Sequence, residues 1–241
     1  VIVIDQNDII NLNPIINIYC DKINVVYYKS DVKGLSKAKN KGIELARGTI
    51  LTFPDDDCTF YPDTISKMLT FFSSNPRVDV VFGSVFDREN NKGIMRNWSK
   101  HQIKLNLRNY SLNYSAITCF TKLKIKFDEN YGVGSKISSG EELDYIIRAI
   151  AEKNNIVYSP TIQVWHPELN VASMTNTKVY NYAYGYASIM RKNCNATLFF
   201  VFMMSLGYQV SRLVFNMFTK DRGKYFLAVK GRLRGFLLLD Q

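Results

Sequence analysis

A chain of 241 residues is long enough for one large α/β domain with its own core, or for one domain with an appendage. Its hydrophobic share of 46% and charged share of 22% are those of an ordinary globular protein, and four scattered cysteines (Cys20, Cys58, Cys119, Cys194) with no CxxC pair argue against a zinc site or a disulfide framework and for reduced thiols in a cytoplasmic compartment. The formal net charge is +10, and residues 187–241 carry +7 of it, nine Lys and Arg against Asp221 and Asp240; such a tail suits an anionic lipid surface, a nucleic acid, or simply a solvated helix face.

Residues 1–4 (VIVI) form a short β-branched run ending at Asp5, which predicts a buried parallel strand. Residues 24–28 (NVVYY) predict a second strand, and 34–48 a helix with Leu35, Ala38, Leu45 and Ala46 at apolar spacing and Gly48 as its stop. Residues 49–53 predict a strand that runs into Pro54 and Asp55-Asp56-Asp57. A helix follows from about Pro62, with Ile65, Met68, Leu69 and Phe72 on one face, and then a strand at 78–85. This alternation argues for a parallel sheet with covering helices.

Residues 86–120 are polar and irregular, and 126–134 (KFDENYGVG) read as a loop. A helix is expected from about Gly140, with Leu143, Ile146, Ile147 and Ile150 on one face, then two short strands at 156–158 and 161–165 ending at His166-Pro167. From about Tyr180 the chain turns aromatic and basic, and 196–218 is largely apolar. The charge-free run 193–211 barely reaches spanning length and contains Asn, Gly and Gln. It reads as an interfacial, partly inserted helix flanked by the basic stretch 220–234; a transmembrane helix and a soluble helix closing the core are the alternatives. The residues interleaved with the basic ones are aliphatic, which fits lipid better than nucleic acid.

Three acids in a row at the carboxyl end of a strand lie where open α/β sheets bind ligands. If the backbone stays extended, Asp55 and Asp57 point to one side, and their mutual repulsion calls for a cation such as Mg2+ or Mn2+. The plainer reading is an acidic turn capping the next helix. Glu141, Glu142 and Asp144 fall in the first turn of a helix, either as a general base for a hydroxyl or as a Ser139-x-x-Glu142 capping box with acids favoured by the helix dipole. His166 can join two carboxylates in a mixed metal site or be structural, whereas His101 reads as surface. Asp5 can contact a base or ribose, or close an Asx turn. Lys39 can meet phosphate or base, or be a solvated lysine.

Order and spacing together resemble glycosyltransferase family 2, mostly bacterial enzymes of capsule, exopolysaccharide and O-antigen synthesis. The matching stretches are VIVIDQND at 1–8, GLSKAKNKGIELARG at 34–48, ILTFPDDDCTFYPDTI at 50–65, KFDENYGVG at 126–134, SGEELDYIIRA at 139–149 and VWHPE at 164–168. The tail, notably YGYASIMRKN and KGRLRGFL, resembles the basic, apolar C-terminal helices of many members. The resemblance implies an α/β, GT-A type fold, a Rossmann-like mixed sheet covered by helices. It places the transferase domain at 1–180 and a helical, membrane-associating extension at 181–241. It implies an inverting transfer of a sugar from a nucleotide-sugar donor (UDP-, dTDP- or GDP-linked) to a saccharide or lipid-linked acceptor, with Mg2+ or Mn2+, at the cytoplasmic face of the membrane. Asp5 would contact the base. Lys39 stands where the family usually has Arg. Asp55 and Asp57 form a D-x-D pair with Asp56 between them, and Asp55 and Asp56 lie against the nucleotide. Glu142 takes the place of the catalytic base, with Glu141 and Asp144 beside it. His166 completes the metal set with Asp55 and Asp57.

Two positions depart from the family pattern. Glu at 142 lengthens the base by one methylene, and Lys at 39 lacks the planar fork of Arg. A sugar-phosphate nucleotidyltransferase and an inactive, truncated membrane-associated relative are the rival readings. The family normally opens with a further strand and helix before the strand found here at residues 1–4. Its lack implies a chain of low stability and activity on its own. Restoring about 30 upstream residues, one strand-helix unit, is expected to raise both activity and melting temperature, and unchanged values would refute this.

Overall fold

The computed structural model describes residues 1–168 and 174–238. β1 (Ile2–Asp5) and β2 (Val26–Lys29) run parallel, with Ile2 opposite Val26 and Asp5 opposite Lys29. They form a sheet of their own. Of β1 only Asp5 is buried, which corrects the expectation of a strand buried throughout: with β2 as its one partner among the described residues, its apolar side chains stay half-exposed. The crossover is α1 (Asn13–Cys20), a helix that the sequence reading did not foresee. Pro14 opens it, but none of its residues is buried, so it shows no apolar stripe against a core to betray it.

The main sheet has seven strands among the described residues. β5 (Val80–Asp87) and β9 (Ile156–Trp165) are its parallel centre. The other pairings are antiparallel, so the sheet is mixed, as the family resemblance implies, and not the parallel one that the strand-helix alternation alone suggests. β8 (Cys119–Thr121) lines the far side of β5 and receives β3 (Leu51–Thr52), while β4 (Thr59–Phe60) closes the opposite edge on β9. Short β6 (Lys92–Gly93) and β7 (Ile103–Lys104) pair with β5 and β9. β8 arises inside the polar stretch, and three residues carry no readable period. β9 is one strand where two were expected. The pairing slips between Phe82–Tyr158 and Ser84–Gln163, so the residues around Pro160 bulge out without ending the strand.

Side-chain alternation splits the core in two. Val81, Phe120, Val157 and Ile162 face α3 (Thr64–Ser74), which contributes Met68, Phe71 and Phe72. Val80, Phe82, Ile156 and Tyr158 face the other way, onto Ile146, Ile147 and Ala149 of α4 (Glu141–Ala151) and Ala187, Ile189 and Met190 of α5 (Asn176–Lys192). α2 (Leu35–Leu45) bridges β1 and this body, with Ile43 on Phe127 and Tyr145. Residue 180 falls within α5, which therefore belongs to both the core and the C-terminal helices.

α6 (Ala196–Phe215) sends Leu198 and Phe202 into the core but leaves Phe199, Phe200, Met203 and Met204 exposed. It is long and apolar enough to cross a membrane, and 11% of its most apolar window is buried. α7 (Arg222–Leu237) lies tightly on α5. A Cβ at Gly235 would stand 2.3 Å from the Tyr184 carbonyl oxygen, and one at Gly231 would stand 2.8 Å from that of Tyr180, so glycine at this four-residue spacing lets the two backbones meet.

Candidate active site

β3 ends at Thr52, and the chain does not stay extended through the three acids. The Cys58 N–H and thiol both donate to the Asp55 carbonyl, at 3.3 and 3.1 Å, closing a turn. β4 then pairs Thr59 with Trp165, which sets residues 57 and 166 beside each other across the strand ends. Asp57 Oδ1 lies 3.2 Å from His166 Nε2. One ligand atom each from Asp55, Asp57 and His166 lies within 4.8 Å of the other two. The turn brings the two carboxylates together, not strand alternation. The capping alternative is not realised, since α3 begins at Thr64.

His166 is 5% exposed, and its Nδ1 sits 2.6 Å from the Pro167 carbonyl. A carbonyl only accepts, so Nδ1 carries a proton, and Nε2 is the ring nitrogen that faces the two aspartates. Two carboxylates and one imidazole, open to solvent on the aspartate side, suit Mn2+ or Mg2+ with coordination positions left for phosphate oxygens.

A second charged group stands beside the first. Lys39, 9% exposed in its side chain, reaches Glu142 Oε1 at 2.5 Å and Glu141 Oε1 at 3.5 Å, with its ammonium over the Phe127 ring. It is not a solvated lysine. Burial pulls its pKa down, but the charges of Glu142, Glu141 and Asp55 outweigh this and hold it above the ordinary value. Burial, then the charge of Glu142, push the Asp55 carboxyl up, and Lys39, Asp57 and His166 also act on it. Glu141 is raised for the same two leading reasons. Lys39 and Asp55 thus sit in each other's field, and the two groups form one electrostatic unit.

The loop at 126–134 holds this arrangement. Asn40 donates to the Phe127 carbonyl at 3.0 Å and accepts from its N–H at 2.7 Å, while the Ser36 hydroxyl donates to the Tyr131 carbonyl at 2.5 Å. Gly132, at φ 103°, leaves room where a Cβ would meet Ser36 Oγ at 2.9 Å and the Glu141 carboxyl at 3.1 Å. Neither Ser36 nor Gly132 stood out in the sequence, although both lie inside its matching stretches. The expected capping box is absent. Gly140 precedes α4 without a side-chain cap, and Ser139 Oγ instead donates to Asn181 of α5 at 2.8 Å. Glu142 also borders a small, largely apolar cavity with Tyr114 and Cys119. Burial raises the Tyr114 hydroxyl well above its ordinary value and the Cys119 thiol to about 12.

Three expected site residues lie apart from these groups. Asp144 is fully buried and bound to Arg148 Nε at 2.7 Å, Lys192 Nζ at 2.8 Å and Asn193 Nδ2 at 3.0 Å. It ties α4 to α5, which corrects its reading as a catalytic acid beside Glu142. Asp5 closes the Asx turn, accepting from the Asn7 N–H at 2.8 Å, and also accepts from Tyr27 OH at 2.7 Å and Lys29 at 3.0 Å. These bonds, Asn7 first, hold its carboxyl well below the usual range. Asp56 is exposed at the turn and lies outside the Asp55–Asp57–His166 group. His101 is exposed. Replacing Asp57 or His166 with Ala is expected to weaken Mn2+ binding, read by calorimetry, at least about tenfold. Asp144→Ala should leave Mn2+ binding intact and lower stability in urea by about 2 kcal/mol, because it removes the charged hydrogen bonds that the buried carboxylate accepts from the partly exposed Arg148 and Lys192.

The model of glycosyl transferase family 2 matches residues 1–132. Glucosyl-dolichyl phosphate glucuronosyltransferase of Haloferax volcanii is 33% identical over 61 residues, 25% of this chain and 20% of that protein. An uncharacterized glycosyltransferase of Methanocaldococcus jannaschii is 22% identical over 161 residues, 63% of this chain and 53% of that protein. The chain thus spans a fifth and about half the length of these two curated relatives. Among solved structures, TarS 1–349 of S. aureus in complex with UDP-GlcNAc aligns with a TM-score of 0.61 at 16% identity, over 98% of this chain and 72% of that one. The mannosyltransferase PcManGT of Pyrobaculum calidifontis, in complex with GDP-Man and Mn2+, aligns with a TM-score of 0.57 at 10% identity, over 98% and 77%. The fold is the GT-A fold of these structures, and with the family model matching more than half of its residues, the chain belongs to glycosyl transferase family 2.

Proposed function

We propose that this chain carries the catalytic domain of a metal-dependent, inverting glycosyltransferase, which moves a sugar from a nucleoside-diphosphate donor to a hydroxyl of a saccharide or lipid-linked acceptor in cell-surface polysaccharide synthesis. One observation carries the reading: the Asp55–Asp57–His166 group and the Lys39–Glu141–Glu142 group lie at one rim, within each other's field. TarS bound to UDP-GlcNAc and PcManGT bound to GDP-Man and Mn2+ support the donor class and the metal.

Asp55, Asp57 and His166 would hold Mg2+ or Mn2+, which when bound neutralises charge on the departing diphosphate. Asp56, exposed at the turn, would face the nucleotide, and Asp5, its carboxylate held by Asn7, Tyr27 and Lys29, would brace the end of β1 toward the base. Lys39 donates to the diphosphate and offsets its growing charge. Glu142, more exposed than Glu141, takes the proton of the attacking hydroxyl. The oxygen bonds to the anomeric carbon as the diphosphate leaves from the opposite face, and a single displacement inverts that centre. Excess cation charge near 220–234 and the exposed apolar face of α6 would seat the enzyme on anionic lipid at the cytoplasmic face of the membrane, near a lipid-linked acceptor.

A panel of UDP-, dTDP- and GDP-sugars with Mn2+ should release nucleoside diphosphate in the presence of one of them. Release of pyrophosphate from a sugar phosphate and a nucleoside triphosphate would instead identify a nucleotidyltransferase. Glu142→Gln should lower turnover by at least about 100-fold while donor binding persists. Phe200, Phe215 and Phe218 are exposed, Phe218 to 97%, so replacing all three with Ser is expected to reduce co-sedimentation with anionic vesicles at unchanged melting temperature; full retention on the vesicles would count against the membrane step.

A further inference from the structure

The irregular stretch between β5 and β8 builds a groove of about 540 Å3, room for a sugar or two, whose lining includes Arg96, Asn97, Trp98, Ser99 and Asn113. Arg96 is its one charged lining residue. The guanidinium lies over the Trp98 ring, its carbon 5.0 Å from the centroid, and Tyr158 stacks on Trp98 at 5.9 Å and 11°. Its Nη1 donates to the Ser111 carbonyl, while Nε is shielded from water and finds no partner. Among the described residues Arg96 is given a backbone carbonyl and no carboxylate as partner, and burial pulls its guanidinium below the ordinary value. A half-buried cation with no counter-charge is a costly arrangement that an incoming anion relieves.

The surrounding loop is held in place beforehand. Trp98 Nε1 donates to the Ile94 carbonyl at 2.8 Å, Tyr158 OH donates to the Ser99 carbonyl at 2.9 Å, and the Ser99 N–H donates to Asn113 Oδ1 at 3.2 Å. The exposed amide of Asn97 suits sugar hydroxyls, while the Ser99 hydroxyl, bonded to the His101 backbone, belongs to the frame. The groove is also joined to the rim: Trp98 packs on the Val85–Ile94–Ile117 cluster together with Cys58 and Trp165, the chain neighbours of Asp57 and His166.

We propose that this groove is an acceptor subsite for an acidic sugar, in which Arg96 receives an oxyanion, carboxylate or phosphate, carried by the saccharide. The proposal rests on the glycosyltransferase reading for the word acceptor, but the binding itself does not need catalysis. The two tryptophans of the chain, Trp98 in the groove and Trp165 beside His166, report the two places separately. The 15N-labelled chain is titrated with glucuronate, glucose 6-phosphate and glucose, and separately with UDP and GDP plus Mg2+, following the Arg96 Nε–H and both indole N–H signals. The acidic sugars are expected to move the Arg96 and Trp98 signals at concentrations at least tenfold below glucose, the stronger of the two naming carboxylate or phosphate, and Arg96→Gln should abolish the difference. Equal response to glucose, no response at Trp98, or an unchanged response in Arg96→Gln would overturn the subsite. If the Gln variant does not fold, the comparison of charged and neutral sugars on the unaltered chain decides alone. A Trp165 signal that responds to neither nucleotide with Mg2+ would count against the glycosyltransferase reading, independently of the outcome at Trp98.

Discussion

Two residues of β4 laid antiparallel on the end of β9 decide whether the acids of this chain meet an imidazole. Pairing Thr59 with Trp165 sets Asp57 beside His166, and the turn bonded at Asp55 folds the first carboxylate in beside the second. A slip of one residue would turn His166 to the other face of the sheet and break the group. The length of β9 matters for the same reason. Its bulge around Pro160 adjusts the register against β5, so that one end of the strand serves the buried core and the other delivers His166 to the rim.

The charges at that rim do not balance without a guest. Asp55, Asp57, Glu141 and Glu142 bring four carboxylates, and the ammonium of Lys39 is shared between the two glutamates. Burial and mutual repulsion lift the carboxyls of Asp55 and Glu141. Gathered carboxylates of this kind repel one another, and a divalent cation among them would relieve that repulsion. The same electrostatics separate the neighbouring acids by role. Asp144, one turn along α4 from Glu141, is neutralised by Arg148 and Lys192 and fastens α4 to α5, which leaves Glu142 as the acid of that helix with the most access to solvent at the rim.

The helix pair α5 and α7 links this body to the apolar surface of α6. α5 buries Ala187, Ile189 and Met190 in the core while Tyr184 receives Gly235 of α7 at its backbone, so the last helices are fastened to the catalytic layer by packing, not by a flexible tether. The outer face of α6 keeps Phe199, Phe200, Met203 and Met204 exposed, an arrangement that favours a nonaqueous neighbour.

Much was legible in the residue order. The Asp55–Asp57 pair, Lys39, the glutamates at 141 and 142 and His166 are named by their motifs and sequence order, because each motif is local. The helices at 35–45, 64–74 and 141–151 show an apolar stripe that survives without knowledge of the partner. What the order could not convey is pairing across distance. α1 has no buried face, β8 is three residues long, and the sheet is mixed because β3, β4 and β8 choose antiparallel neighbours that no local period announces. The separation of Glu142 from Asp144 has the same origin: the two acids stand two residues apart in one helix turn, and only the cations that α4 and α5 bring to Asp144 bind it into the core. The residue types and their order thus determined the available chemistry, while strand register and ion pairing between distant elements decided which of those groups face one another, since Coulomb and coordination forces depend on separation in space and not along the chain.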